Sequence, residues 1–140
     1  MGDGHPVAAL LARPEHLVDF GARSRYFNTF GGNPVSVAVG LAVLDVIRDE
    51  DLMDNAACTG RLMGDGIAQL VRCHPAIDDV RAAGLYLGVE IVSDAAAKTS
   101  SADLAARLVN GLRDVGVLVG ISGPRANVVK VRPPLTFGAG

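Results

Sequence analysis

Thr29 lies in a stretch whose residue types suit the binding of an anion. Polar and aromatic residues at 26–30 are followed by Gly31 and Gly32, a flexible joint, and then by Asn33-Pro34. An asparagine before a proline predicts the cap and the first residue of a helix. Free N–H groups and the helix dipole favour negative charge at such a helix start. The stretch therefore predicts an anion site near Thr29.

Lys130 and Arg132 form a second group, at the end of an apolar segment that predicts a strand at 128–131. Residues two apart on a strand lie on the same face. A guanidinium binds a carboxylate through two parallel hydrogen bonds, so Arg132 is the first candidate for holding an acid group and Lys130 the second. A surface ion pair for both remains the alternative. The chain's other lysine, Lys98, falls in a small polar loop at 93–100, where we expect it to be solvated.

The elements that position these residues follow from apolar spacing. Residues at i, i+3, i+4, i+7, i+8 and i+11 predict a long helix from Pro34, with further apolar residues that predict cover on more than one face; the spaced residues are Val35, Ala38, Val39, Ala42, Val43 and Val46. Upstream we expect a strand at 7–11 and a short helix from Pro14 that ends at Gly21. Downstream we expect helices at 51–73 and 100–116. Strands are expected at 80–83, 85–92, 117–119 and 128–131, with a turn at 120–126.

The order of these elements indicates three parts. Residues 51–140 read as an α+β layer, a mostly antiparallel sheet with helices on one face. Residues 1–33 read as the tail of a different, upstream domain, and residues 34–50 as the helix that connects the two.

Composition excludes several classes of function. The chain has 140 residues, 49% of them hydrophobic and 20% charged, which is typical of a folded domain. A formal net charge of −2 gives no basic field for nucleic acid. We expect no membrane span, no signal peptide and a cytoplasmic location. Cys58 and Cys73, on one predicted helix about 22 Å apart, cannot form a disulfide and we expect both to be buried or half-buried. No residue spacing indicates a metal site.

Three motifs together resemble one family. YFNTFGGNPVSVAVG is similar to the segment just after the catalytic lysine of class III (subgroup II) pyridoxal-phosphate aminotransferases, in the branch of alanine–glyoxylate aminotransferase 2-like enzymes and phospho-lyases. MGDGHPVA at the start resembles the turn and strand after that lysine, and VKVRPPL at 129–135 resembles the substrate-carboxylate strand. The resemblance covers essentially the whole chain. It implies that the full-length parent enzyme has the α/β type I fold of pyridoxal-phosphate transferases. This chain would then comprise the end of the large domain, the connecting helix and the small α+β domain.

The resemblance also implies a chemistry. The cofactor would be pyridoxal 5′-phosphate, and Thr29 would donate its hydroxyl to the phosphate held by the neighbouring subunit of a homodimer. Arg132 or Lys130 would hold the substrate's carboxylate; the family commonly has arginine at the Lys130 position, whereas the branch with RPPL has it beside the prolines, as here. The reaction would move an amino group between an amino compound and a 2-oxo acid.

The resemblance places the Schiff-base lysine just upstream of Met1 and the family's usual last helix beyond Gly140. We therefore expect no catalytic residue within the chain and no activity of the chain alone. The alternatives are a non-catalytic α+β module that binds a partner or a small anion, and a non-functional fragment.

Overall fold

The computed structural model describes residues 2–138. The chain divides into two compact units, with the break between Glu50 and Asp51. No helix among the described residues combines the length and the apolar content that a membrane crossing needs.

The first unit is helical. A 3-10 turn at Pro14–His16 leads into helix α1, Val18–Arg23, and helix α2 spans Pro34–Asp49. The predicted stop at Gly21 is wrong, because α1 continues for two residues and ends with the N–H of Ser24 on the carbonyl of Phe20. The predicted strand at 7–11 is also wrong: this segment is irregular and, apart from the half-buried Val7, exposed. A strand needs a neighbour for its backbone hydrogen bonds, and none of the described residues pairs with it.

Helix α2 begins as its sequence predicts. The side-chain oxygen of Asn33 accepts hydrogen bonds from the N–H groups of Val35 (3.0 Å) and Ser36 (3.2 Å), with Pro34 as the first helical residue. The expected cover on several faces is not observed, because Gly40 is the helix's one buried residue. Exposed side chains include Val35 at 66% and Leu41 at 56%.

The second unit is an α+β layer. Helix α3 spans Leu52–Val71 and helix α4 spans Ala102–Asp114. The strands are β1 Ile77–Ala83, β2 Tyr86–Asp94, β3 Thr99–Ser100, β4 Gly120–Ser122 and β5 Val128–Val131. The sheet order is β1-β2-β5-β4, with β3 on β2, and every pairing is antiparallel.

Strand β2 and the residue before it divide their side chains between the two faces of this sheet. Leu85, Leu87, Val89 and Ile91 are buried, and α3 and α4 both pack on the face that Val89 and Ile91 occupy. Tyr86, Gly88 and Glu90 alternate with them and therefore lie on the opposite, outer face. The expected sheet with helices on one face is confirmed.

Several boundaries in the second unit differ from expectation. Strand β1 begins at Ile77 rather than at residue 80, and β3 forms within the loop expected at 93–100. The strand expected at 117–119 forms three residues later as β4, because its pairing partner β5 fixes the position: Ile121 lies opposite Val129. The turn expected at 120–126 is correspondingly shorter. Helix α4 is capped by Ser101, whose hydroxyl accepts from the N–H of Leu104 (3.3 Å). The helix expected from residue 100 therefore begins at Ala102, because Ser100 pairs with Val92 in the sheet.

Both cysteines are free, as expected, but both are exposed, so the prediction of buried or half-buried thiols is wrong. On α3, Cys58 lies two residues beyond the buried Ala56, about 200° around the helix and hence on its outer side.

Candidate cofactor and substrate site

The Thr29 loop is a tight turn at residues 29–32 in the first unit, directly before α2. Asn28 organises it: its side-chain oxygen accepts from the N–H of Phe30 (3.1 Å), and its carbonyl accepts from the N–H of Gly31 (3.2 Å). Gly32 has a φ of 74°, a left-handed conformation that glycine adopts without steric cost. The local sequence thus determines the loop's shape.

Three hydrogen-bond donors in this loop are free. The hydroxyl and N–H of Thr29 and the N–H of Gly32 have no acceptor among residues 2–138, and Thr29 is exposed. The first turn of α2 offers no such groups, since Asn33 already accepts from Val35, Ser36 and Val37. The expectation of free N–H groups at the helix start is therefore wrong. An anion at this loop would be held by Thr29 and Gly32.

A turn near the beginning of the chain lies beside α2 in the same unit. Asp3 and Gly4 both have positive φ, 42° and 97°, and the N–H of His5 donates to the carbonyl of Gly2 (2.9 Å). The Asp-Gly pair suits this type of turn. His5 Nε2 lies 2.9 Å from the hydroxyl of Ser36, which fixes the turn against the first turn of α2.

The two lysines have different surroundings. Lys98 sits at the exposed end of the β2–β3 hairpin with a φ of 51°, and its Nζ lies 3.4 Å from a carboxylate oxygen of Asp78. Lys130 is half-buried on the outer face of β5. Its neighbours across the sheet are Gly88 on β2 and Gly120 on β4, so its side chain runs along a strip without side chains.

Arg132 and Lys130 line neighbouring recesses of the second unit. Arg132 lines an open cleft of about 810 Å³ between α3, the β1–β2 turn and residues 133–135. Lys130 lines a smaller groove of about 320 Å³ that also includes Arg81 and Ser122. Tyr86 lines both recesses. Because Leu87 pairs with Val131, continuing the register places Tyr86 opposite Arg132.

Neither Arg132 nor Lys130 forms an ion pair with any residue in the range 2–138, so the described contacts do not include the surface ion pair that was the alternative for them. Arg81, by contrast, contacts carboxylate oxygens of Asp79 (2.7 Å) and Glu90 (3.1 Å). Within the described part of the chain, the cations of these two recesses that lack an ion-pair partner are therefore Arg132 and Lys130.

A polar network supports the outer face. The side-chain amide of the buried Asn127 donates to Glu90 (3.3 Å) and to the carbonyl of Ile91 (3.1 Å). The pKa of Glu90 is lowered, chiefly by the hydrogen bond from Asn127 and further by Arg81 and Arg125, while burial opposes the shift. Glu90 thus stays ionised and holds Arg81 in place.

Asn55 fixes the segment that follows Arg132. Its side-chain amide donates to the carbonyls of Leu135 (2.7 Å) and Phe137 (3.0 Å), and its oxygen accepts from the hydroxyl of Thr59 (3.3 Å). Asn55 lies in the first turn of α3, so these bonds tie one wall of the Arg132 cleft to the other. Sequence reasoning missed Asn55, Asn127 and Tyr86; only the exposed position of Tyr86 in the β2 alternation signalled a role for it.

Comparison with known proteins identifies the family. The class III aminotransferase family profile matches residues 1–139. The chain belongs to the class III aminotransferase family. It is 43% identical, over 98% of its length, to alanine–glyoxylate aminotransferase 2 homolog 2, mitochondrial, of Arabidopsis thaliana, of which it covers 28%.

Solved structures of the family match as well. A phospholyase from Arthrobacter in complex with phosphoethanolamine is 39% identical, with a TM-score of 0.86, over 99% of this chain and 33% of that one. An amine transaminase from an uncultivated Pseudomonas species, in its PLP-bound form, is 32% identical, with a TM-score of 0.73, over 84% of this chain and 27% of that one. The expected fold, a part of the pyridoxal-phosphate transferase fold, is confirmed. The chain spans about a third or less of the length of these relatives.

Proposed function

We propose that the chain is the C-terminal part of a pyridoxal-phosphate-dependent class III aminotransferase, which transfers an amino group between an amino compound and a 2-oxo acid. The observation that carries the proposal is the Thr29 loop, which presents three free hydrogen-bond donors in a chain that belongs to this family. The residues of both units contribute to the function, Thr29 from the first and Arg132 or Lys130 from the second.

The Thr29 loop fits a phosphate group. A phosphate offers three strong acceptor oxygens, and the hydroxyl of Thr29 with the N–H groups of Thr29 and Gly32 are donors without another acceptor among residues 2–138. Asn28 and Asn33 hold the loop in shape before any anion arrives, so binding costs little ordering. Because Thr29 is exposed, its hydroxyl is available to a cofactor phosphate held by a neighbouring subunit, and we propose a homodimer.

Arg132 and Lys130 are the candidates for the substrate's acid group. Arg132 is preferred because its planar guanidinium can form two hydrogen bonds with one carboxylate and no described residue competes for it. When bound, pyridoxal phosphate supplies the electron sink for the reaction. Arg132 or Lys130 would hold and orient the substrate through its acid group. Lys98 is paired with Asp78 and Lys130 is the second candidate for the acid group, so we expect neither to form a covalent bond with the cofactor and we expect the chain alone to be inactive.

A phospho-lyase reaction is the second candidate, because one similar structure is a phospholyase in complex with phosphoethanolamine. In that case the cations of the outer sheet face would meet a phosphate of the substrate. A non-catalytic anion-binding module remains the alternative if neither reaction occurs.

A cytoplasmic location remains a prediction; the name of the Arabidopsis thaliana relative assigns that protein to the mitochondrion.

A chimera tests the proposal. This chain replaces the matched segment of the Arabidopsis thaliana relative, and the chimera is compared with its Thr29→Ala and Thr29→Ser variants. A hydrogen bond to a charged group contributes about 1.5–3 kcal/mol, so Thr29→Ala should weaken pyridoxal phosphate binding about 10- to 150-fold. Thr29→Ser keeps the hydroxyl and should restore most of the affinity.

The same chimera separates the reactions. Formation of an amino acid from a 2-oxo acid supports the aminotransferase, and release of inorganic phosphate from phosphoethanolamine supports the phospho-lyase. Equal cofactor affinity of the chimera and its Thr29→Ala variant would refute the role of Thr29.

A further inference from the structure

The cleft beside Arg132 combines one cation with an apolar wall. Its other lining residues are nearly all hydrocarbon in character: Met53, Ala56 and Ala57 from α3, Ala83 to Leu85 from the β1–β2 turn, and Pro133 to Leu135. The cleft is open to solvent and, at about 810 Å³, lies within the size range of small-molecule sites. Arg132 is the one formally charged residue among its lining residues.

We infer that this cleft binds a monocarboxylate with an aliphatic chain, the carboxylate on Arg132 and the hydrocarbon against Met53, Leu85 and Leu135. The inference rests on the proposed function only in using Arg132 as the cation for a carboxylate. It adds the class of the group attached to that carboxylate, which the family assignment leaves undetermined.

Charge favours a carboxylate over a phosphate here. A single guanidinium balances one negative charge, whereas a phosphate ester dianion carries nearly two and gains little from an apolar wall. Lys130 and Arg81 line the other recess and not this cleft. An aliphatic chain, in contrast, gains from every methylene that it removes from water.

Tyr86 is the specificity-determining residue in this arrangement. Its side chain lines both recesses and, by the register of β2 and β5, stands beside Arg132. It therefore separates the Arg132 cleft from the Lys130 groove. Removing it would join the two recesses and let one ligand reach both cations.

The test titrates the full 140-residue chain, labelled with ¹⁵N, with acetate, butyrate, hexanoate, inorganic phosphate and phosphoethanolamine. The Nε–H signal of Arg132 in the NMR spectrum reports binding. Each added methylene should lower the Kd about two- to fourfold, the upper value corresponding to about 0.8 kcal/mol per buried methylene. Phosphate and phosphoethanolamine should bind more weakly than hexanoate.

Variants locate the effect. Arg132→Gln should weaken hexanoate binding at least about tenfold, and Arg72→Gln, at an exposed position at the end of α3, is the matched control that should leave it within about twofold. Binding of the neutral hexanamide should not depend on residue 132. Tyr86→Ala should shift the preference toward phosphate.

The outcomes separate the two ideas. If no acid moves the Arg132 signal, both the role of Arg132 in the proposed function and the inference fail. If acetate and hexanoate bind Arg132 equally, Arg132 keeps its role and the aliphatic preference is wrong. Tighter binding of phosphate than of hexanoate by the unmodified chain would overturn the inference and favour the phospho-lyase.

Discussion

Gly60→Ala should destabilise the second unit although alanine is the better helix former. Gly60 lies in α3 against Gly84 at the β1–β2 turn, and a Cβ at residue 60 would overlap the backbone carbonyl of Gly84. The obstacle is backbone rather than a flexible side chain. Gly84 itself has a φ of 56°, a left-handed conformation that restricts how the turn can yield. Gly84 also lines the Arg132 cleft, so a displaced turn changes that cleft.

The magnitude follows from two opposing effects. Alanine in place of glycine inside a helix gains about 0.8–1.0 kcal/mol. Overpacking in a well-packed interface costs about 1–3 kcal/mol, and more when backbone must move. Because the obstacle is backbone, the cost lies at the upper end of that range, and after the gain is subtracted we expect Gly60→Ala to lower the free energy of unfolding by about 1–2 kcal/mol. Gly66→Ala is the matched control, because a Cβ there meets no atom within 4 Å, and it should raise stability by about 0.5–1 kcal/mol.

Urea unfolding followed by far-UV circular dichroism measures both variants under identical conditions. The account requires opposite signs for the same substitution on the same helix. If Gly60→Ala were as stabilising as Gly66→Ala, the close contact between α3 and the β1–β2 turn would be refuted.

Three further outcomes test the supports of the site. Asn33→Ala should destabilise α2 by about 0.5–2 kcal/mol, seen as faster amide exchange in its first turn, with Asn33→Asp as the conservative control. The pKa of Glu90 is lowered in the folded chain, so its ionised form adds stability that is present above its ordinary pKa and is lost as the pH falls through the folded pKa. The urea midpoint should therefore fall less in acid for Glu90→Gln than for the unmodified chain. Asn55→Ala should cost about 1–2 kcal/mol and speed proteolysis near Phe137, whereas unchanged proteolysis would contradict the anchoring of that segment.

Sequence reasoning succeeded where local chemistry decides structure. The Asn33 cap and the start of α2 depend on residues within one helical turn, and the inward row of β2 depends on simple alternation. The family resemblance rested on three motifs in a fixed order, which is why it held over the whole chain.

It failed where distant residues decide. The position of β4 is set by its pairing with β5, which apolar composition at 117–119 does not encode. Asn55 meets residues 80 and 82 positions away, so no local pattern marks it. The free N–H groups lie in the Thr29 loop rather than at the start of α2. The reason is that Asn33, which caps the helix, already accepts hydrogen bonds from the first N–H groups of α2.

Our proposal is that the chain binds phosphate and carboxylate groups but that neither of its lysines forms a covalent bond with the cofactor. The measurement is borohydride reduction of the chain with pyridoxal 5′-phosphate, followed by peptide mass spectrometry of the label, alongside an assay of amino transfer to a 2-oxo acid. We expect labelling of Lys98 and Lys130 no greater than in the heat-denatured chain, and no turnover. Stoichiometric labelling of Lys130 together with turnover by the chain alone would contradict the account.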